Sequence, residues 1–189
     1  MIIGRAIVLG ALLLTPALAQ EGEVFSGDAG SAMRHEASGF VCPLKIASFE
    51  RDAVGERTPE LGADFCAYSA LSGVYGTIVI MPLPKTYDPK AVLAPEFSVQ
   101  EGTGGRMIDE TTVSLGGKEA LPVYLRTYET ARLESLHYRM QYASAAVGAW
   151  SVQVILEYAY PRDQELETGF LNAAYAQALK DIGNPLTKP

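Results

Sequence analysis

The chain has 189 residues, of which 48% are hydrophobic and 20% are charged, and its formal net charge is −7. This composition excludes an intrinsically disordered chain, which combines low hydrophobicity with a high net charge. The acidic balance argues against nucleic acid as a partner, because surfaces that bind phosphates carry an excess of Lys and Arg. The length suits one domain.

Residues 1–19 have the three parts of a cleavable secretory signal peptide. Arg5 provides the positive charge, residues 6–14 form an uninterrupted apolar run, and cleavage is expected after Ala19. The alternative, a transmembrane anchor, is disfavoured because the run is much shorter than the ~20 residues that cross a bilayer. We therefore expect an exported protein, periplasmic or secreted, without a transmembrane anchor.

The next segment, residues 20–38, is rich in Gly, Ser, Glu and Ala and predicts a flexible leader. Beyond it the signals are mostly those of β-strands. A long loop is expected at 51–63, which contains Gly55, Pro59 and Gly62. Three strands are predicted around this loop, at 41–50, 65–71 and 74–81.

Two cysteines, Cys42 and Cys66, lie in this first group of strands. In an oxidising compartment an even pair predicts a disulfide, with free thiols as the alternative. If the first two strands form a hairpin centred near Val54, Cys42 lies opposite Cys66 and close enough to bridge. The bridge would stabilise the fold by roughly 3 kcal/mol, because it restricts the unfolded chain.

Residues 82–105 are the least regular part of the chain, with four prolines and the glycines Gly102, Gly104 and Gly105. This composition predicts a flexible loop, in which residues 90–97 could form one short helix. The glycines do not predict a phosphate-binding loop, because no Lys-Ser/Thr pair follows them.

The C-terminal half predicts a meander of strands followed by a helix. The helix is expected at 163–182, with Asp163 as its N-cap and an apolar stripe that ends at Gly183, and the tail 184–189 is expected to be loose. Residues 39–183 then predict a single α+β domain, an antiparallel β-sheet of about six or seven strands with this helix packed on it. Strands of the meander are expected at 107–115, 121–129, 134–145 and 149–160.

The last two strands alternate between apolar and polar residues, which indicates one buried face and one polar face. Placing the apolar residues of both strands on the same face pairs His137 with Glu157 and leaves a three-residue loop at 146–148. A two-residue turn at 131–132 then places Arg126 beside His137. The sequence thus predicts a polar row, Arg126–His137–Glu157, across three adjacent strands.

This row, with Arg139 on the same face, could bind an anion or hold a histidine poised for acid–base chemistry. Plain solvated sheet surface is the alternative. No H-E-x-x-H, G-x-S-x-G or zinc-type cluster occurs, so we predict no catalytic residue, no metal ligand and no cofactor.

The ten tyrosines are concentrated in the predicted sheet. Tyr124 and Tyr128 fall on the same face as Arg126, a combination typical of protein–protein interfaces. The alternative is that these aromatic side chains pack beneath a helix or a loop.

Three segments set the order of elements: residues 39–43 as a first strand, residues 148–152 opening the last long strand, and the terminal helix to Gly183. This order resembles the PsbP/Mog1-like fold, an antiparallel sheet flanked by helices. That fold is associated with accessory and binding proteins more than with catalysis, so the resemblance implies a binding role.

We therefore expect an exported, non-enzymatic binding or accessory protein whose partner is another envelope or extracellular protein. The alternative is a small-molecule or anion binder, or a hydrolase-like enzyme, that uses Arg126, His137 and Glu157 with residues 82–105 as a lid. A deep pocket beside these residues would favour the alternative, and a flat, open face would exclude it.

Overall fold

The computed structural model describes residues 24–58, 61–71, 73–133 and 135–183 and contains an eight-stranded antiparallel sheet and a small three-stranded sheet. The predicted α+β class, with an antiparallel sheet and a C-terminal helix, is confirmed, and the strands outnumber the six or seven expected. In chain order the elements are β1 (Phe25–Ser26), β2 (Met33–His35), β3 (Val41–Cys42), β4 (Lys45–Ile46), β5 (Phe49–Thr58), β6 (Ala63–Ala70), β7 (Val74–Pro82), α1 (Pro89–Gly102), β8 (Arg106–Leu115), β9 (Leu121–Leu133), β10 (Leu136–Val147), β11 (Trp150–Tyr160) and α2 (Gln164–Asp181).

The main sheet consists of two meanders that join at its centre. Its strand order is β4-β5-β6-β7-β11-β10-β9-β8, so β7 and β11 are neighbours. Helix α1 connects β7 to β8, and the chain therefore leaves the centre of the sheet and re-enters at its edge. The meander predicted for the C-terminal half is present, and a second one precedes it.

Helix α2 packs on one face of the main sheet and α1 packs on part of the other, so the central strands are covered on both sides. The face under α2 holds the larger core, made mainly of aliphatic side chains. The face under α1 holds a smaller core that consists of Leu93, Phe97, Tyr124, Tyr128 and Tyr142.

The predicted pairing of the last strands is wrong. His137 lies opposite Tyr160 and not opposite Glu157. Arg126 lies opposite Tyr142 and not beside His137. The strands continue further than expected, so both predicted turns are displaced and the row Arg126–His137–Glu157 does not form. Because these strands have apolar residues on both faces, alternation alone could not distinguish one register from another.

The Cys42–Cys66 disulfide is confirmed, although the hairpin used to predict it is wrong. Residues 51–63, expected as a loop, form most of β5, and Val54 lies opposite Cys66. Cys42 belongs to the small sheet, where it pairs with Met33. The two-residue β4 covers only a small part of the outer side of β5, so half of the residues of β5 are exposed, most of them charged, which is why its sequence resembles a loop.

The predicted leader is also corrected, because residues 24–38 carry β1 and β2 and pack on the domain. Phe25 and His35 are buried. His35 Nδ1 accepts a hydrogen bond from the backbone N–H of Ser38 (3.2 Å). The ring hydrogen is therefore on Nε2, which donates a hydrogen bond to Asp64 Oδ2 (2.9 Å). This hydrogen bond, from the small sheet to β6, joins the N-terminal segment to the main sheet.

The short helix expected at 90–97 is present and is longer than expected, since α1 takes up most of the flexible loop expected at 82–105. The Asp88 side chain accepts from the backbone N–H of Lys90, and Pro89 occupies the first turn, where the missing N–H has no cost. Leu93 and Phe97, one turn apart, enter the smaller core. The segment is therefore a fixed cover for the sheet rather than a mobile lid.

Helix α2 confirms the helix expected at 163–182. Its buried residues include Phe170, Ala174 and Ala178 of the predicted stripe. Asp163 does not cap the helix with its side chain, which instead accepts the backbone N–H of Ala159 (3.0 Å).

The signal peptide expected at 1–19 and the tail 184–189 lie outside the described residues. In the part of the chain that the structure describes, no helix has the length and apolar character to cross a membrane.

Candidate functional site

The structure divides the predicted site residues between the two faces of the sheet. Tyr124, Arg126, Tyr128 and Glu157 lie on the face that α1 covers, whereas His137 and Arg139 lie on the face that α2 covers. The division follows from the register, in which Arg126 shares a row with Tyr142 and Arg139 shares a row with Tyr158. Two separate clusters result.

The first cluster fastens α1 to the sheet. The Arg126 guanidinium donates to Glu110 (2.6 Å), to the Tyr124 hydroxyl (3.0 Å) and to the Tyr128 hydroxyl (3.3 Å), and it lies 4.1 Å from the centre of the Phe97 ring. Tyr128 is fully buried and Tyr124 is 6% exposed. Tyr124, Arg126 and Tyr128 therefore contact one another and α1. Of the two alternatives, a protein interface and packing beneath a helix, the structure shows the second.

The second cluster lines a pocket of about 520 Å³, between the ends of β8–β11 and the first turns of α2. We call it the α2 pocket. Each of five elements contributes side chains, which explains why no short sequence motif marks the site. Its polar lining includes Thr127, Glu129, His137, Arg139, Gln141 and Glu167.

Glu129 organises the rim of the α2 pocket. Its carboxylate accepts a hydrogen bond from His137 Nδ1 (2.5 Å), and it also pairs with Arg106 (2.9 Å) and Arg132 (3.4 Å). These donors, His137 first, lower the pKa of Glu129 from its ordinary 4.5 to about 2. Because a carboxylate only accepts hydrogen bonds, His137 carries a proton on Nδ1 and its orientation is set by Glu129.

Arg139 differs from the two rim arginines in having no carboxylate partner among the described residues. Its guanidinium lies over the Tyr160 ring, 3.6 Å from the ring centre, and its buried Nε has no hydrogen-bond partner among the residues that the structure describes. Burial raises the pKa of the neighbouring Tyr158 hydroxyl, and a hydrogen bond with Arg139 partly opposes that effect. The pocket thus holds a cation that forms no close ion pair with a described carboxylate, although the Glu167 carboxyl of the same lining attracts it.

Gln141 is the second residue of the pocket that has a buried polar atom without a hydrogen bond in the described residues. It is 8% exposed, and its Nε2 donates to Thr127 Oγ1 (3.4 Å), while its Oε1 has no hydrogen-bond partner within the described residues. A buried polar atom without a partner is costly, and such atoms mark places where a ligand or an ordered water completes the structure.

Glu167 reaches the pocket from α2 and is also 8% exposed. Desolvation raises the pKa of its carboxyl, against the smaller effects of hydrogen bonds from Thr168 (2.9 Å) and Gln141 and of the Arg139 charge. Glu129 and Glu167 therefore differ in character: hydrogen-bond donors lower the pKa of Glu129, and burial raises the pKa of Glu167. Such contrasts are common at functional sites.

Sequence reasoning found His137 and Arg139 but missed Glu129 and Glu167. The alternation of β10 correctly placed Gln141 on the same face as His137 and Arg139. Glu129 was missed because the predicted register placed Arg126 next to β10 instead. Glu167 was missed because a sequence pattern does not show which residues a side chain in the first turns of a helix faces. In the described residues no group of His, Cys, Asp and Glu has the arrangement of a metal site.

No protein-family model and no curated protein matches the chain. Among solved structures the chain is similar to the solution structure of cyanobacterial PsbP (CyanoP) from Synechocystis sp. PCC 6803. The identity is 13% and the TM-score 0.42, over 70% of this chain and 93% of that protein. The resemblance expected from the order of elements is confirmed as a weak one, at the level of the fold alone.

Proposed function

We propose that this chain is an exported, non-enzymatic binding protein that holds a small polar molecule in the α2 pocket. The observation that carries the proposal is a cavity of about 520 Å³ lined by Arg139 and Gln141, whose buried Nε and Oε1 atoms have no hydrogen-bond partner in the described part of the chain. Cavities of this size suit small ligands, and a few convergent polar groups provide their specificity.

A small ligand is preferred to a protein partner for a structural reason. The surface proposed from the sequence for another envelope or extracellular protein was the combination of Tyr124, Arg126 and Tyr128, and these side chains are engaged with α1. His137, the candidate for acid–base chemistry, has Nδ1 bound to Glu129, which also holds two arginines. This arrangement favours a fixed rim around a binding site.

A thermal-shift screen of the purified protein against a library of small metabolites tests the proposal. A ligand present at one hundred times its dissociation constant stabilises the fold by about 2.7 kcal/mol, or roughly 5–10 °C in melting temperature for a domain of this size. We expect at least one compound to produce such a shift with the unmodified protein and to lose it with Gln141→Leu.

The matched control is Gln153→Leu, which replaces a buried glutamine on the opposite face of the sheet. Each variant is compared with its own melting temperature without ligand. The proposal fails if no compound shifts the unmodified protein, or if the shift is retained in Gln141→Leu.

A further inference from the structure

The charges around the α2 pocket indicate what kind of molecule it binds. Arg106 and Arg132 at the rim are paired with Glu129, and Asp109, which also lines the pocket, is exposed to solvent. Solvent screens exposed charges strongly. Arg139 remains as the charge available to a ligand, in a chain whose overall charge is −7.

The geometry of Arg139 suits a planar anion. Its guanidinium lies over the Tyr160 ring, 3.6 Å from the ring centre, and its N–H groups project in the plane of the guanidinium. Arginine binds carboxylates through two parallel hydrogen bonds in that plane, and stacking on an aromatic ring limits the freedom lost on binding. A single guanidinium also matches the single charge of a carboxylate.

Gln141 indicates that the ligand also carries a hydrogen-bond donor. The contact between its Nε2 and Thr127 Oγ1 directs the amide so that the unpartnered Oε1 is an acceptor. A ligand hydroxyl or ammonium next to the carboxylate would meet that acceptor. Glu167 lies in the same lining, where burial raises the pKa of its carboxyl and attraction to Arg139 opposes that effect.

We infer that the α2 pocket binds a small organic carboxylate, with Arg139 holding the carboxylate and Gln141 accepting a hydrogen bond from a hydroxyl or ammonium group on the adjacent carbon. The ligands of this class are 2-hydroxy acids and 2-amino acids. The inference rests on the proposed function, since it names the ligand class of the same pocket.

Calorimetric titration with matched pairs of compounds tests the inference. The probes are the common L-amino acids and 2-hydroxy acids of three to six carbons, each beside its primary amide, which keeps the shape and removes the charge. We expect at least one acid to bind and its amide to bind at least tenfold more weakly, because hydrogen bonds to an ionised group are roughly twice as strong as those to a neutral group.

Variants of Arg139 identify the group responsible. Arg139→Gln is expected to weaken binding of the acid at least tenfold, and Arg139→Lys to recover part of that loss because it restores the charge without the two parallel donors. Arg57→Gln is the matched control, since Arg57 pairs with Glu96 on the other face of the sheet. Urea unfolding of each variant verifies that it is folded.

The results separate failure of the inference from failure of the proposed function. If the metabolite screen finds a neutral or cationic ligand that needs Gln141 but binds equally well to Arg139→Gln, the carboxylate inference is overturned and the binding function stands. Equal binding of an acid and its amide would likewise overturn the carboxylate inference and leave the binding function standing. If no compound of any class binds, the proposed function itself fails, and the inference with it.

Discussion

Gly76 of β7 permits the close approach of α2 to the sheet, and replacing it with alanine should destabilise the protein. A Cβ at position 76 would lie 2.7 Å from two carbons of the Phe170 ring, far inside van der Waals contact. Phe170 is fully buried and is held by the rings of Phe49 (4.5 Å between centres) and Tyr68 (5.6 Å), so the ring has little room to move.

The magnitude follows from two opposing effects. Overpacking of a core typically costs about 1–3 kcal/mol, and replacing glycine with alanine returns about 0.4–1 kcal/mol by restricting the unfolded chain. We expect Gly76→Ala to lower the free energy of unfolding by about 1–2 kcal/mol. In a Phe170→Leu background, where the ring is absent, the same change should be neutral or stabilising.

Urea unfolding followed by circular dichroism, on the four proteins of this double-mutant cycle, measures the coupling between the two positions. Gly102→Ala is the control, because nothing lies within 4 Å of a Cβ at that position. The reasoning is refuted if Gly76→Ala is as stable as the unmodified protein, or if the two changes are additive within about 0.5 kcal/mol. Because Phe170 lies one turn beyond Glu167, Gly76→Ala should also weaken ligand binding in the α2 pocket.

Three further outcomes are expected. Replacing both Cys42 and Cys66 with alanine should cost about 3 kcal/mol, since the bridge joins residues separated by 24 positions, and an unchanged urea midpoint would contradict this. Glu129→Gln should lower the melting temperature at pH 7. The pKa of Glu129 is lowered from 4.5 to about 2, so its stabilisation is fully present above pH 4.5 and is lost as the pH falls toward 2; a difference from the unmodified protein that persists undiminished at pH 2 would count against it. Tyr128→Phe removes the hydroxyl that donates to Glu101 and accepts from Arg126, so amide exchange in α1 should accelerate by a factor that corresponds to about 1 kcal/mol, and unaltered exchange would show that the hydroxyl does not hold the helix.

The sequence by itself was sufficient for the features that depend on local signals. Helix α2 was predicted within a residue at each end, because apolar residues recur at the period of a helix and Gly183 follows it. The Cys42–Cys66 bond followed from the presence of two cysteines in a chain expected to enter an oxidising compartment. The alternation of β10 correctly grouped His137, Arg139 and Gln141 on one face.

Only the tertiary structure decided which residues lie beside that face. Strands β9, β10 and β11 are covered by a helix on each side, so their apolar residues occur on both faces and fit several registers equally well. The edge strand β5 was hidden for the opposite reason, since exposure makes its residues polar. The α2 pocket depends on both register and helix docking, because Glu129 enters it through the pairing of β9 with β10 and Glu167 enters it through the packing of α2. Those contacts join residues far apart in the chain. They are stabilised by tertiary packing, which a local sequence pattern does not reveal.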